Sequence, residues 1–233
     1  METGFQKRLE AIQRRMAAAC ASANRDPASV RLLPVSKTFG PEAVCEAAEA
    51  GLTVFGENKV QEAKAKIPLC PGRLHWHLIG HLQSNKARLA VGLFTVIHAV
   101  DSVSLLDRLD AVCAESGRRL EVFLEINVAG EACKFGMRPE DAEAAVTRAN
   151  RLTHVTVTGL MTMPPFDPDA ERVRPHFRRL RELRDSLQDR TGTPLPELSM
   201  GMSHDFETAI AEGATWIRVG TALFGVRPKG GAA

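Results

Sequence analysis

TVIHAVDSVSLLDRLDAVCAES at residues 95–116, followed by LEVFLEINV at residues 120–128, reads as one strand–helix–strand unit. The flanking runs are dense in Val, Ile, Leu and Phe, as expected of strands in a parallel sheet that helices cover. The segment between them has helical spacing, so the two strands it joins should run parallel.

The same alternation extends in both directions. Upstream, RLLPVSK (31–37) precedes a helix starting near Pro41, LTVFGE (52–57) precedes a helix from Val60 to Lys66, and LHWHLIG (74–80) precedes a helix after Ser84. Downstream, LEVFLEINV leads to RPEDAEAAVTRAN (138–150) and HVTVTGLMT (154–162) to ERVRPHFRRLRELRDSLQ (171–188). ELSMGM (197–202) then leads to DFETAIAEG (205–213), and WIRVGTALFG (216–225) closes the series. Strand runs total about eight, the number a closed parallel barrel requires, which predicts a single α/β domain over 1–233, a (β/α)8 TIM-type barrel. An open doubly wound sheet is the competing architecture. Residues 1–25 read as an extra N-terminal helix outside the repeat, ended by the Asn, Asp and Pro of ANRDPASV (23–30), and 228–233 as a disordered tail.

Composition narrows the function classes. The 233 residues are 44% hydrophobic and 25% charged, enough apolar material for one large core. Thirty basic and 28 acidic residues are interspersed to a net +2, which argues against nucleic acid as a partner. Five scattered cysteines without a CxxC pair indicate reduced thiols and a cytoplasmic protein. METGFQKRLEAIQRRM (1–16) lacks a signal-peptide core and no run approaches membrane-spanning length, so no membrane partner is expected.

Barrels of this kind collect reactive groups at the C-terminal ends of their strands. The first strand ends at Lys37, and a lysine in a dry barrel mouth has a depressed pKa and condenses with aldehydes; alone it is more often a solvated charge. The seventh and eighth strands end in Ser199-Met200-Gly201-Met202-Ser203 and Arg218-Val219-Gly220-Thr221, the loops with which barrels commonly bind phosphate. Ser203 and Thr221 offer hydroxyls, Gly201 and Gly220 allow close backbone approach, and a helix starting near His204 directs N–H groups outward. The plainer alternative is strand-end turns and helix caps. Strand one closes beside strand eight, which sets Lys37 next to this cradle with Arg218 between. Lysine, phosphate cradle and arginine together suit pyridoxal 5′-phosphate (PLP), with Arg218 meeting the pyridine nitrogen and leaving it unprotonated.

PVSKT (34–38), FGENKVQEA (55–63), HWHLIGHLQSNK (75–86), GLMTM (159–163), LSMGMSHD (198–205) and RVGTALFG (218–225) together resemble the pyridoxal phosphate homeostasis proteins, in order from about Leu32 to Gly225. The resemblance implies a barrel like the N-terminal domain of alanine racemase. It makes Lys37 the Schiff-base lysine, Asn58 a residue beside the ring, Ser203, Gly220 and Thr221 phosphate ligands, and Arg218 the ring-nitrogen partner. It also implies a non-enzymatic PLP carrier that supplies PLP-dependent apoenzymes and influences amino-acid balance; separately, the sequence presents no uninterrupted exposed apolar stripe, which predicts a monomer. EINVAGEACKFG (125–136) departs from the family, which often has serine at the positions of Ala129 and Cys133 around a retained Lys134; this leaves the role of that loop open.

Other features have plainer readings beside functional ones. His75 and His77 share a strand face, as zinc ligands do, but no matching ligand set follows, so no metal is expected. His77 and His81 are expected near the mouth, assisting the ring or a loop, and His75 as structural. Met161, Met163, Met200 and Met202 should pack on the inner layer or the cofactor face. The arginine-rich run 172–184 reads as a solvated helix face. Two rival functions stay open: an amino-acid racemase, for which this sequence lacks the tyrosine that serves as second base in racemases of this fold, and a cofactor-free barrel binding a phosphorylated metabolite.

Overall fold

The computed structural model describes residues 3–130 and 135–225. Eight strands alternate with helices: β1 (Arg31–Pro34), β2 (Val54–Glu57), β3 (His75–Leu78), β4 (Val96–Val100), β5 (Leu120–Glu125), β6 (Val155–Met161), β7 (Glu197–Ser199) and β8 (Trp216–Val219). All pair in parallel, in the order β1-β8-β7-β6-β5-β4-β3-β2. The circle closes between β1 and β2 through the parallel bridge of Val35 with Gly56, where Ser36 N–H donates to the Gly56 carbonyl at 3.0 Å. That bridge removes the open doubly wound sheet from consideration.

Strand alternation divides the core in two. Leu33, Val35, Ile79, Phe123, Met161 and Trp216 pack together in one buried cluster, while Phe55, Leu78, Ile97, Leu124, Leu160 and Ile217 pack with the helices in the larger one. Burying each of these large side chains contributes roughly 1.5–3 kcal/mol. The surrounding helices are α1 (Gly4–Ser22), α2 (Pro41–Glu49), α3 (Val60–Lys66), α4 (Ala87–Leu93), α5 (Val103–Ser116), α6 (Ala142–Ala149), α7 (Ala170–Thr191), α8 (Phe206–Ala211) and α9 (Thr221–Phe224). Helix α5 begins where the Ser102 hydroxyl accepts Leu105 N–H and ends at Gly117, whose φ of 62° a side chain would resist.

The leading helix matches its expected place and has a definite task. Phe5, Leu9 and Ile12 form its buried stripe, Arg8 Nε donates to the Leu223 carbonyl at 2.6 Å, and Phe5 lies 5.6 Å from Phe224 between ring centroids. A four-residue helix such as α9 does not persist alone; α1 clamps it at the end of β8.

The arginine run keeps Arg172, Arg178 and Arg179 exposed, as expected of a solvated face, but part of it is also engaged by a buried acid. Arg174, Arg178 and Arg181 of α7 converge on Glu212, just after α8, at 3.2, 3.0 and 2.9 Å, and Glu212 is buried. Sequence spacing exposes the face of a helix but not the acid that a neighbouring helix brings to it. Cys20, Cys45, Cys70 and Cys113 are free thiols; Cys133, Lys134 and the tail 228–233 lie outside the described residues. Among the described residues no helix is long and apolar enough to cross a membrane.

Candidate functional site

Lys37 follows β1 in a turn that is fixed from three sides. Val35 N–H donates to the Val219 carbonyl at 2.9 Å, Phe39 N–H donates to the Ser36 carbonyl at 3.0 Å, and Thr38 adopts a φ of 70° with its N–H donating to Glu62 Oε1 at 2.6 Å. Lys37 itself is half-buried. Beneath the turn, Lys66 Nζ donates to the Ser36 carbonyl, Glu57 Oε1 and Glu62 Oε1 at 2.9, 2.7 and 2.9 Å, and Ser36 Oγ donates to Glu57 Oε1 at 2.6 Å.

The β8 turn abuts this one. A Cβ on Gly220 would sit 3.3 Å from the Val35 carbonyl, so the glycine lets the Lys37 strand and the Gly220–Thr221 turn close together. From the β7 side, Ala222 N–H reaches Ser203 Oγ at a long 3.5 Å, which joins the seventh and eighth loops. The first N–H groups of any helix lack intrahelical acceptors. Within α9 the Ala222, Leu223 and Phe224 N–H groups already have acceptors, which leaves the Thr221 N–H together with the Ser203 hydroxyl and the exposed Thr221 side chain as the donors gathered where β1 and β8 end, a set that fits a phosphorylated aldehyde. Gly201, at φ 90°, makes the turn after β7, and Met202 N–H donates to Asp205 Oδ1 at 2.6 Å. Asp205, whose side chain accepts from this upstream N–H and not from the helix, ends the turn, and α8 starts at Phe206, two residues later than the expected His204.

Arg218 lies on the inner face of β8, 3% exposed. Nη1 donates to Ser199 Oγ at 2.8 Å and Nη2 to the Thr162 carbonyl at 2.9 Å. Burial lowers its pKa to about 10, opposed by Asp205 and Glu125 acting through space. A guanidinium at that value stays protonated at neutral pH, so it only donates.

Lys37, Ser203, Arg218, Gly220 and Thr221 thus gather where β1, β7 and β8 end. Asn58 stands after β2, packed so closely on Gly80 that a Cβ there would fall 2.6 Å from its Oδ1. Met202 lines a cavity of 370 Å³ with Glu125, Thr162, Met163 and Phe135. His81 is turned toward β4: its Nδ1 lies 3.1 Å from Asp101 Oδ2 and its ring stacks on Phe135 at 3.8 Å. His77 differs from its expected place at the mouth. It sits deep in the barrel, 5.1 Å from the Trp216 ring at the start of β8, and lines a groove at the opposite end together with the exposed His75.

Sequence reasoning did not single out Glu57, Lys66 or Glu125. Glu125 ends β5 and is 4% exposed, with Oε2 lacking a hydrogen bond; burial, reinforced by Asp101 and opposed by Arg218, pushes its pKa up to about 7. Its position as the acid closing an apolar strand was the available signal. No group of three or more potential metal-binding His, Cys, Asp or Glu side chains occurs among the described residues.

A family model, the N-terminal domain of alanine racemase, matches residues 8–228, which defines the class as a barrel of that type. Two alanine racemase structures agree on the fold alone: that of Clostridium difficile 630 at 14% identity and TM-score 0.69, covering 93% of this chain and 57% of that one, and that of Corynebacterium glutamicum at 19% and 0.67, covering 97% and 63%. Nearer relatives are more specific. The pyridoxal phosphate homeostasis proteins of Aquifex aeolicus and Pseudomonas aeruginosa are 44% and 46% identical to it, covering 95% and 94% of this chain and 97% and 94% of theirs. PipY of Synechococcus elongatus, solved with PLP bound, is 43% identical with a TM-score of 0.79, covering 90% of this chain and 100% of that one. The chain belongs to the pyridoxal phosphate homeostasis protein family.

Proposed function

We propose that this chain holds PLP as a Schiff base on Lys37 and acts in the cytoplasm as a carrier that supplies the cofactor to PLP-dependent apoenzymes. The observation that carries the reading is the contact of the Lys37 turn with the Gly220–Thr221 turn, with Arg218 two residues before Gly220 on the same strand. Ser203, Gly220 and Thr221 hold the phosphate, Arg218 faces the ring nitrogen, Asn58 and Met202 flank the ring, and His81 supports the rim through Asp101. Bound PLP supplies an aldehyde that captures primary amines and a ring able to withdraw electrons.

Arg218, as a permanent donor, keeps a proton off the ring nitrogen and so weakens that withdrawal, which disfavours carbanion chemistry and favours storage. Racemisation needs a base on each face of the substrate carbon, and this sequence contains no tyrosine to supply the second one. The names of the homologues and the PLP in the PipY structure support the carrier reading. The chain acts as a monomer and binds no nucleic acid.

The loaded protein is mixed with an apoenzyme, and restored enzyme activity is followed beside the optical purity of added L-alanine. Restored activity with unchanged optical purity is expected. Racemisation that disappears in Lys37→Ala would replace the carrier with a racemase.

A further inference from the structure

Four buried side chains form a row of hydrogen bonds through the barrel. Arg218 Nη1 donates to Ser199 Oγ at 2.8 Å, Ser199 Oγ meets His98 Nδ1 at 2.8 Å, and His98 Nε2 meets His77 Nδ1 at 3.0 Å. The row starts at the C-terminal end of the strands. It finishes at His77, which lines a groove of 420 Å³ with Val54, Thr95, Leu120 and Thr156 at the starts of other strands. All four members are buried, with His98 and Ser199 at 0% exposure.

Arg218 fixes the first step of the row, because a guanidinium has only hydrogens to give. Ser199 Oγ therefore accepts from it, which leaves the single Ser199 hydrogen available to His98 Nδ1. His98 then carries its hydrogen on Nε2 and gives it to His77 Nδ1, and His77 carries its own on Nε2. Both rings are neutral: burial, with Arg31 and His75 nearby, pushes His77 down to about 3. Burial, His77, Arg218 and Arg31 hold His98 well below the ordinary histidine value.

Neutral partners are what the proposed ring contact needs. The guanidinium is met by a hydroxyl and a carbonyl, while Asp205 and Glu125 act only through space. A carboxylate in direct contact would cancel much of the charge that opposes protonation of the ring nitrogen. A serine hydrogen without an acceptor would be free to rotate; the imidazole behind it offers that hydrogen a fixed acceptor on the side away from the arginine. Phe123 stacks on His98 at 4.3 Å and 17° and contributes to the packing of the barrel interior, while the hydrogen bonds to Ser199 and His77 set the ring's orientation.

We propose that His98, backed by His77, is a positioning residue for Arg218: it commits the Ser199 hydrogen away from the guanidinium, so that Arg218 stays fixed as a cation facing the cofactor ring nitrogen. This rests on the PLP site proposed above. A purely structural histidine pair would stabilise the barrel without influencing that nitrogen.

The test reads the nitrogen directly. Protein loaded with PLP carrying 15N in its ring is compared by NMR as wild type, His98→Phe, His98→Gln, Ser199→Ala and Phe123→Leu. His98→Phe and Ser199→Ala should move the ring-nitrogen resonance and weaken PLP binding about tenfold, the scale of one hydrogen bond to a charged group. His98→Gln, which can accept from Ser199 and donate to His77, should restore both; Phe123→Leu should lower the melting temperature and leave the resonance in place. Should His98→Phe not fold, Ser199→Ala decides. In unloaded protein, 15N-histidine spectra should report both rings neutral with the hydrogen on Nε2. A wild-type resonance in folded His98→Phe or Ser199→Ala, or the opposite tautomers, overturns the proposal alone. Wild-type protein that takes up no PLP overturns the site reading together with it, whatever the tautomers.

Discussion

Lys66 Nζ lies 2.7 Å from Glu57 Oε1, and both side chains are almost wholly withdrawn from solvent, at 6% and 0% exposure. The pair stands directly under the Lys37 turn, because the same ammonium group donates to the Ser36 carbonyl at 2.9 Å. Two lysines therefore serve one turn in different ways: Lys66 is committed to acids that hold the backbone, and Lys37 stands at the strand end above it.

Removing one partner of such a buried pair strands the other charge. Lys66→Met should cost about 3–5 kcal/mol in urea unfolding. Glu57→Gln together with Lys66→Met should cost much less, since no fully buried charge is left alone; Glu62, 26% exposed, keeps solvent and the Thr38 N–H. PLP affinity should fall in Lys66→Met, as the Ser36 carbonyl loses its anchor.

Gly80 sets the position of Asn58. A Cβ there would fall 2.2 Å from the Asn58 carbonyl oxygen, which is backbone and yields little. Gly80→Ala should destabilise by about 1–3 kcal/mol and weaken PLP binding. Gly72→Ala, with nothing within 4 Å of the added Cβ, should leave PLP binding unchanged.

Glu125 predicts a pH dependence of a definite sign. Its pKa is raised from the ordinary 4.5 to about 7, chiefly by burial, so the folded state retains a proton that the unfolded chain releases. Its contribution is complete below pH 4.5 and is lost as pH rises through 7. Against Glu125→Gln, which does not titrate, the wild type should lose on the order of 3 kcal/mol across that window. Parallel stability curves for the two proteins between pH 4.5 and 7.5 would contradict this assignment.

Barrel architecture was legible because it repeats: Val- and Ile-rich runs alternate with helical spacing eight times, and the strand ends containing Lys37, Ser203 and Arg218 could be read from order alone. Depth was not legible. Period-two alternation gives His77 a face, yet its height along the barrel follows from the tilt and register of neighbouring strands, which set it beside Trp216. Glu57 and Lys66 are separated by a loop and a helix, and no local pattern announces their pairing. Asn58 entered only through family resemblance, since its place depends on the shape of Gly80 one strand away.

Glu212 links α7 to α8 through three arginines. Glu212→Gln should cost about 2 kcal/mol, the loss of charged hydrogen bonds at a buried acceptor. Arg178→Ala, whose side chain is 52% exposed, should cost less than about 1 kcal/mol. Thermal unfolding of the two variants checks the ranking, and equal costs would place Glu212 among ordinary surface ion pairs.

The most direct measurement is borohydride reduction of the PLP-loaded protein followed by peptide mass analysis. The account predicts one phosphopyridoxyl group, carried by the peptide containing Lys37, together with loss of the visible absorption band in Lys37→Ala before reduction. A label on another lysine, or an undiminished band in Lys37→Ala, would contradict it.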